Sequence, residues 1–254
     1  MAPEEIHWDL WKQVQINLFS HGQQTSTMIC DYLKGFSQNV WKNLLIINTI
    51  LETQTDFNII FIQELLWSAI CTIPSASNQE GKILVGTTHH LNWLSFARTL
   101  LSQSDTSRVL VYINIRLSFL CFSLWNNIIY HKDILLISFI NNHICSFIMN
   151  VYSDSSHLAL KYLKNIKVNV SNMLIMTGNF NIRDSLWDLS FLHYSSISDD
   201  FIIIADSLNL DLSTPINPVP TRYSNTDREA NSVIDLIFLH SRSTELNNHS
   251  IHSD

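Results

Sequence analysis

The stretch Met173-Leu-Ile-Met-Thr-Gly-Asn-Phe-Asn181 is the starting point for interpreting the whole chain. Its apolar residues give way to Thr177-Gly178 and then to two amides, Asn179 and Asn181. An apolar run of this kind predicts a strand covered on both faces, and glycine permits a sharp turn or a close backbone approach. If the chain stays extended, the two amides share a face. The stretch therefore indicates either a ligand-binding strand end or a plain strand followed by an Asn-rich turn.

Two further apolar runs carry a carboxylate. Residues 58–64, Asn-Ile-Ile-Phe-Ile-Gln-Glu, predict a buried strand that ends at Glu64, and residues 232–239 predict another that is interrupted by Asp235. An ionised carboxylate is costly to bury without a partner. Glu64 is therefore exposed, paired or bound to a cation. Asp235 either bonds backbone groups or a neighbouring histidine, or it orients a functional histidine.

The order of the remaining patterns favours an α/β protein with much antiparallel pairing. The predicted helices cover residues 44–51, 157–170 and 201–210, and the predicted hairpin strands fall between residues 108 and 152. Residues 67–107 are expected to be mostly loops, with one short strand at 82–86. Residues 1–34 are set apart as an N-terminal extension, either an amphipathic helix or a frayed leader.

Composition narrows the function classes. The 254-residue chain has a net charge of −7, so its overall charge does not favour binding to nucleic-acid phosphates. Four widely separated cysteines lack zinc-type spacing and indicate reduced, mostly buried thiols in an intracellular protein. No apolar run reaches the ~18 residues of a membrane span, which predicts no membrane partner.

The ends of the predicted strands, taken in order, resemble the endonuclease/exonuclease/phosphatase superfamily. The matching pieces are Gln38-Asn39, Gln63-Glu64, Asn150-Val-Tyr152, Gly178-Asn-Phe-Asn181 and Ile234-Asp-Leu-Ile-Phe238. Residues 150–156 and 178–188 are similar to endonuclease domains of fungal non-LTR retrotransposons. The resemblance covers residues 35–254 as one domain, truncated at its C-terminus. It implies a four-layer sandwich of two mixed β-sheets flanked by helices, lacking the final strand.

The resemblance also implies a chemistry, Mg²⁺-dependent cleavage of phosphodiesters, with Mn²⁺ as an alternative ion. It makes Glu64 the main metal ligand and places Asn39 near the metal. Tyr152 then contacts the scissile phosphate, Asn181 bonds the phosphate or orients the attacking water, and Asp235 orients a histidine. The implied partners are a DNA substrate and a reverse-transcriptase domain encoded downstream, and the implied location is intracellular, including the nucleus.

Two departures from the family pattern predict a weakened or inactive copy. Asn179 stands where the family has an Asp that prepares the attacking water, and loss of a general base commonly slows a reaction ~10²–10⁴-fold. The family's terminal Ser-Asp-His is absent, because the chain stops at Ser253-Asp254. Another histidine, such as His240 or His252, would have to replace the missing one. The alternatives are a non-catalytic remnant that binds metal or nucleic acid, and a phosphatase acting on a phospholipid or inositol phosphate.

Overall fold

The apolar runs of the sequence become the strands of two sheets. The computed structural model describes residues 12–17, 32–65, 68–75, 78–98, 106–141, 143–166, 168, 170–189, 191–192, 195–214 and 232–241. In chain order the elements are β1 Lys12–Asn17, β2 Tyr32–Asn39, α1 Leu44–Thr53, β3 Ile59–Gln63, β4 Ser68–Ser75, β5 Asn78–Gly86, β6 Trp93–Ala97, β7 Val109–Asn114, a 3₁₀ helix Ile115–Leu120, β8 Ser123–Leu124, β9 Ile134–Asn141, β10 Ile144–Tyr152, α2 Leu158–Ile166, β11 Met173–Asn179, α3 Ser196–Ser207, β12 Leu210–Leu212 and β13 Asp235–His240.

Both large sheets are mixed. The first has the strand order β1-β2-β3-β7-β6, in which only β2 and β3 are parallel. The second has the order β12-β13-β11-β10-β9-β8, in which only β10 and β11 are parallel. A helix connects each parallel pair, α1 in the first sheet and α2 in the second, as a parallel crossover requires. Strands β4 and β5 form a separate antiparallel hairpin.

Three apolar layers separate four layers of secondary structure. Helix α1 buries Ile47, Ile50 and Leu51 against one face of the first sheet. The opposite face of that sheet packs on the second sheet through side chains of both, including Phe61 and Ile148. Helices α2 and α3 cover the far face of the second sheet. The predicted sandwich of two mixed sheets flanked by helices is confirmed.

Local signals explain where two of the helices begin. The side-chain oxygen of Asn43 accepts hydrogen bonds from the backbone N–H groups of Leu45 and Ile46 and so caps α1. Ser195 caps α3 through Ile197 in the same way. Because the capping residue Ser195 lies before the apolar run that predicted the helix, α3 begins at Ser196, five residues before the predicted start at Phe201.

The largest differences from prediction lie in the polar segments. Residues 12–17 form an edge strand paired with β2, where an amphipathic helix was one expectation. Their sequence, Lys-Gln-Val-Gln-Ile-Asn, alternates at the strand period as well, and pairing with β2 decides between the two periods. The segment expected to be loops contains β4, β5 and β6. The rest of 1–31 and the residues beyond Ser241 lie outside the described parts, so the expectations of a leader and of a missing final strand concern residues that are not described.

Within the range predicted to form hairpin strands, residues 115–120 form a 3₁₀ helix, and the strand that follows, β8, has only two residues. Asn114 caps this helix, and Cys121 ends it in a left-handed conformation with φ 50°. Cys121 is an exposed free thiol, whereas Cys145 is half-buried. Cys121 is therefore an exception to the expectation of mostly buried thiols.

Among the described residues, none of the helices has the length and apolar character needed to cross a membrane.

Candidate functional site

Three of the predicted site residues lie side by side in the second sheet. Tyr152, the last residue of β10, is paired in register with Asn179 at the end of β11, and Asn179 is paired with Asp235 at the start of β13. Residues paired across adjacent strands share a face of the sheet. At a strand spacing of ~4.8 Å the row spans about 10 Å. Tyr152 belongs to the apolar layer between the sheets, so the row faces the first sheet.

The first sheet contributes the two predicted metal-site residues, Asn39 and Glu64, at the same end. Asn39 and Gln63 are paired in register at the ends of β2 and β3, and Glu64 follows directly. The Tyr152 hydroxyl donates a hydrogen bond to Glu64 Oε1 at 2.5 Å. This contact joins residues 88 positions apart in the chain and brings the candidate metal ligand against the row in the facing sheet.

Asn150 links the two sheets directly beneath this contact. Its Nδ2 donates to the backbone oxygens of Ile62 and Leu110, at 2.9 Å each. Its Oδ1 accepts a hydrogen bond of 2.7 Å from Gln63 Nε2. Asn150 and Gln63 are both fully buried. They fix the spacing of the sheets at the level of the candidate site.

The backbone geometry at position 178 explains why the stretch 173–181 contains a glycine. Its φ is +153°, and a Cβ atom added there would lie 1.8 Å from the backbone oxygen of Val151 in β10. Glycine is the residue that permits such an approach. The predicted close backbone approach is therefore present, one residue before Asn179. It brings β10 and β11 together where Tyr152 and Asn179 are paired.

The two amides of the opening stretch have different environments. Asn179 is 2% exposed, and its Oδ1 has no hydrogen-bond partner among the described residues. Asn181 has φ 51° and donates from Nδ2 to the backbone oxygen of Ser153 at 2.7 Å. Because Asn181 is left-handed, the two-residue alternation of an extended chain does not apply to it. The expectation that both amides share a strand face therefore rests on a conformation that the chain does not adopt.

Glu64 has a strained backbone, with φ 52° in a residue that is not glycine. Such conformations cost about 1–3 kcal/mol and concentrate at functional sites. The Glu64 backbone oxygen accepts from Lys42 N at 2.8 Å, which helps to hold this conformation. Glu64 Oε1 carries the Tyr152 hydrogen bond, and no hydrogen bond from another described residue reaches Oε2.

The donor set is compatible with a hard divalent ion. Mg²⁺ prefers oxygen ligands, keeps several waters and needs only one or two carboxylates. Glu64 supplies one carboxylate, and the buried Oδ1 of Asn179 is an oxygen without a donor among the described residues. Asn39 Oδ1 accepts from Trp41 N at 3.0 Å, which leaves its second lone pair. No cluster of three or more His, Cys, Asp or Glu side chains with metal-binding geometry occurs in the described parts, so protein ligands here are few.

A cluster of ion pairs around Arg108 adjoins the site, and the sequence did not reveal it. Arg108 binds Asp133 through two hydrogen bonds of 2.6 and 2.5 Å and Asp154 through one of 3.0 Å. Its guanidinium lies 4.5 Å from the centre of the Tyr152 ring. The sequence signal that could have revealed this cluster is the position of its members along the chain. Arg108 and Asp133 each directly precede an apolar strand, and Asp154 follows Tyr152 closely.

These contacts shift the protonation equilibria of the cluster. Burial, and then the Glu64 hydrogen bond and charge, raise the pKa of Tyr152 above its usual value, so the phenol stays protonated at neutral pH. The hydrogen bond to Asp133 raises the pKa of Arg108. The Ser156 hydroxyl lowers the pKa of Asp154 to about 2, and Arg108 contributes to the same shift.

The two histidines suggested as replacements are not seen at the candidate site. His240 lies at the far end of β13, five residues and roughly 17 Å along the strand from Asp235. His252 lies outside the described residues. Among the described histidines, His157 lies beside Asn181: its Nδ1 is 3.3 Å from Ser153 Oγ, and the Ser153 backbone oxygen accepts a hydrogen bond from Asn181. Burial lowers the pKa of His157 and favours its neutral form.

The chain is similar to several solved structures. The endonuclease domain of TRAS1, a telomere-specific non-LTR retrotransposon, is 14% identical, and the alignment covers 84% of this chain and 88% of that domain with a TM-score of 0.61. TDP2 from D. rerio complexed with a single-strand DNA product is 13% identical, with coverage of 82% and 84% and a TM-score of 0.47. An endonuclease/exonuclease/phosphatase family protein from Leptotrichia buccalis is 12% identical, with coverage of 81% and 87% and a TM-score of 0.44.

No protein-family model and no curated protein matches the sequence. At 14% identity the likeness to the TRAS1 domain concerns the fold, and that likeness extends over most of both chains. The protein shares the fold of the TRAS1 endonuclease domain, so the predicted resemblance to a retrotransposon endonuclease domain is confirmed at the level of the fold.

Proposed function

We propose that the chain is a Mg²⁺-dependent, phosphodiester-cleaving endonuclease domain of the retrotransposon type, and that this copy is slow. The observation that carries the proposal is the hydrogen bond from Tyr152 to Glu64. It joins the row of Tyr152, Asn179 and Asp235 to the candidate metal ligand of the facing sheet. The fold shared with the TRAS1 endonuclease domain supports the retrotransposon type and, through it, a DNA substrate and a reverse-transcriptase partner.

Glu64 and Asn39 would hold the ion, with Asn179 Oδ1 as a further oxygen close by. When bound, Mg²⁺ would neutralise charge on the phosphate. The Tyr152 phenol is protonated at neutral pH, and its hydroxyl serves as a donor toward an anionic oxygen, as it does toward Glu64 Oε1. Asn181 is fixed by Ser153 through its amide nitrogen, which leaves Oδ1 for an attacking water.

Asn179 explains the expected slowness. An uncharged amide oxygen does not take a proton at neutral pH, so a water beside it lacks a base. An Asp at this position would face Asp235 directly across the strands. Two adjacent carboxylates raise the pKa of one of them, which suits a general base. The same observation supports the second candidate function, a non-catalytic remnant that retains binding of metal or nucleic acid.

Nicking of supercoiled plasmid DNA with Mg²⁺ tests the proposal. We expect little nicking by the chain as it stands, and an increase of up to ~10²–10⁴-fold for Asn179→Asp once a C-terminal segment with the family's Ser-Asp-His is joined. Glu64→Gln in the same background should abolish the gain, which assigns the activity to this site.

Strong nicking by the unaltered chain would contradict the role given to Asn179. Absence of nicking in every variant, with folding intact by circular dichroism, would favour the remnant.

A further inference from the structure

The turn between β2 and α1 has a strained backbone next to the candidate site. Trp41 has φ 45° and Lys42 has φ 59°, so two successive residues other than glycine are left-handed. Turns that need positive φ normally use Gly, Asn or Asp. Strain of this kind persists only where the surrounding structure imposes it.

The turn is tied to both candidate metal-site residues. Trp41 N donates to Asn39 Oδ1 at 3.0 Å, and Lys42 N donates to the backbone oxygen of Glu64 at 2.8 Å. Asn43 N donates to the backbone oxygen of Val40 at 2.8 Å and closes the turn. Because two residues of extended chain span at most about 7 Å, the Cα atom of Trp41 lies no more than that distance from the Cα atom of Asn39.

The side chains of this turn face solvent. Trp41 is 56% exposed, although tryptophan is the largest apolar side chain, and Lys42 is exposed as well. Within the described parts of the chain, no aromatic ring or cation stacks on the Trp41 indole. An indole and an ammonium group on one rigid turn are complementary to a nucleobase and its phosphate.

We propose that Trp41 stacks on an unpaired nucleobase adjoining the phosphate at the candidate site, an inference that rests on the proposed function. A base inside a duplex has both faces covered and offers no surface to the indole. The site therefore prefers a single-stranded or locally opened DNA segment to a fully paired one. The preference arises from Trp41 and does not require a metal ion.

Fluorescence anisotropy of a labelled oligothymidylate, measured in EDTA, tests this directly. The comparison uses the unaltered chain, Trp41→Ala and Trp41→Phe, with Leu91→Ala as control because Leu91 is 93% exposed in another turn. We expect Trp41→Ala to weaken single-strand binding about 5- to 100-fold, Trp41→Phe to retain most of it, and Leu91→Ala to change nothing. An oligonucleotide with abasic positions should bind the unaltered chain and Trp41→Ala equally.

Single-strand binding that is unchanged in Trp41→Ala overturns the inference. The exposed Trp41 would then belong to a contact with a protein, together with Leu45, which is 68% exposed on the first turn of α1. Plasmid nicking by the activated Asn179→Asp chain separates the two proposals. If this chain does not nick plasmid but Trp41→Ala still weakens single-strand binding, the nuclease proposal is rejected. If the chain nicks plasmid but Trp41→Ala leaves single-strand binding unchanged, the role of Trp41 is rejected.

Discussion

Arg108 contacts three of the side chains that surround the candidate site. It pairs with Asp133, which is 2% exposed, and with Asp154, and it lies over the ring of Tyr152. Asp133 directly precedes β9, whereas Tyr152 ends β10 and Asp154 follows two residues later. The guanidinium therefore compensates a buried carboxylate and positions the phenol that donates to Glu64. A run of apolar residues predicts a strand, but it does not predict which charges meet beyond its end.

Replacing Arg108 with Met should destabilise the fold by about 3–5 kcal/mol, because Asp133 is left buried without its cation. Arg108→Lys should cost less, since the charge remains while the two-pronged hydrogen bonding is lost. Urea unfolding measures both values. The matched control is Lys164→Met, whose pair with Asp200 is 54% and 40% exposed and should contribute at most ~1 kcal/mol. If Arg108→Met and Lys164→Met lowered the free energy of unfolding equally, burial of the ion pair would not be the reason for the effect.

Among the elements, strands β10 and β11 set the geometry of the row. Gly178→Ala should destabilise the fold by more than about 3 kcal/mol, because the added methyl group would lie 1.8 Å from the Val151 backbone oxygen. Urea unfolding again gives the measurement. Adding Val151→Ala to this variant should bring no recovery, since the collision is with backbone. Recovery in the double variant would show that side-chain packing sets the approach.

The buried strands were predictable because their apolar runs are long and continuous. Strands β3, β11 and β13 all appear where those runs place them. The hairpin of β4 and β5 was not predicted as a pair, because its sequence mixes polar residues, glycine and proline without a clear period. Burial leaves a strong trace in sequence, whereas pairing between polar strands depends on what lies beside them.

In the whole molecule, the site exists because two sheets pack face to face. The order of the strand ends along the sequence predicts a site at Asn39, Glu64, Tyr152, Asn179 and Asp235. The structure places these five residues at one end of the sandwich. Their grouping came from the family resemblance. Local patterns alone do not reveal that Asn150 bonds Ile62, Leu110 and Gln63 across the interface, since contacts 40 to 88 residues apart leave no periodic signal.

Two histidines should make the stability of the whole fold depend on pH. Burial lowers the pKa of His131 and of His157, which means that the folded chain favours their neutral forms. His131 Nδ1 also accepts a hydrogen bond from Asp133 N at 3.2 Å, and that bond needs an unprotonated nitrogen. Their contribution is complete above the ordinary histidine pKa of ~6.5 and is lost as pH falls through the lowered values. Urea midpoints should therefore drop between pH 7.5 and 5.5, and the drop should shrink in the double variant His131→Asn, His157→Asn. His143→Asn, at an exposed position, provides the control. An identical drop in the double variant and the unaltered chain would assign the pH dependence to other groups.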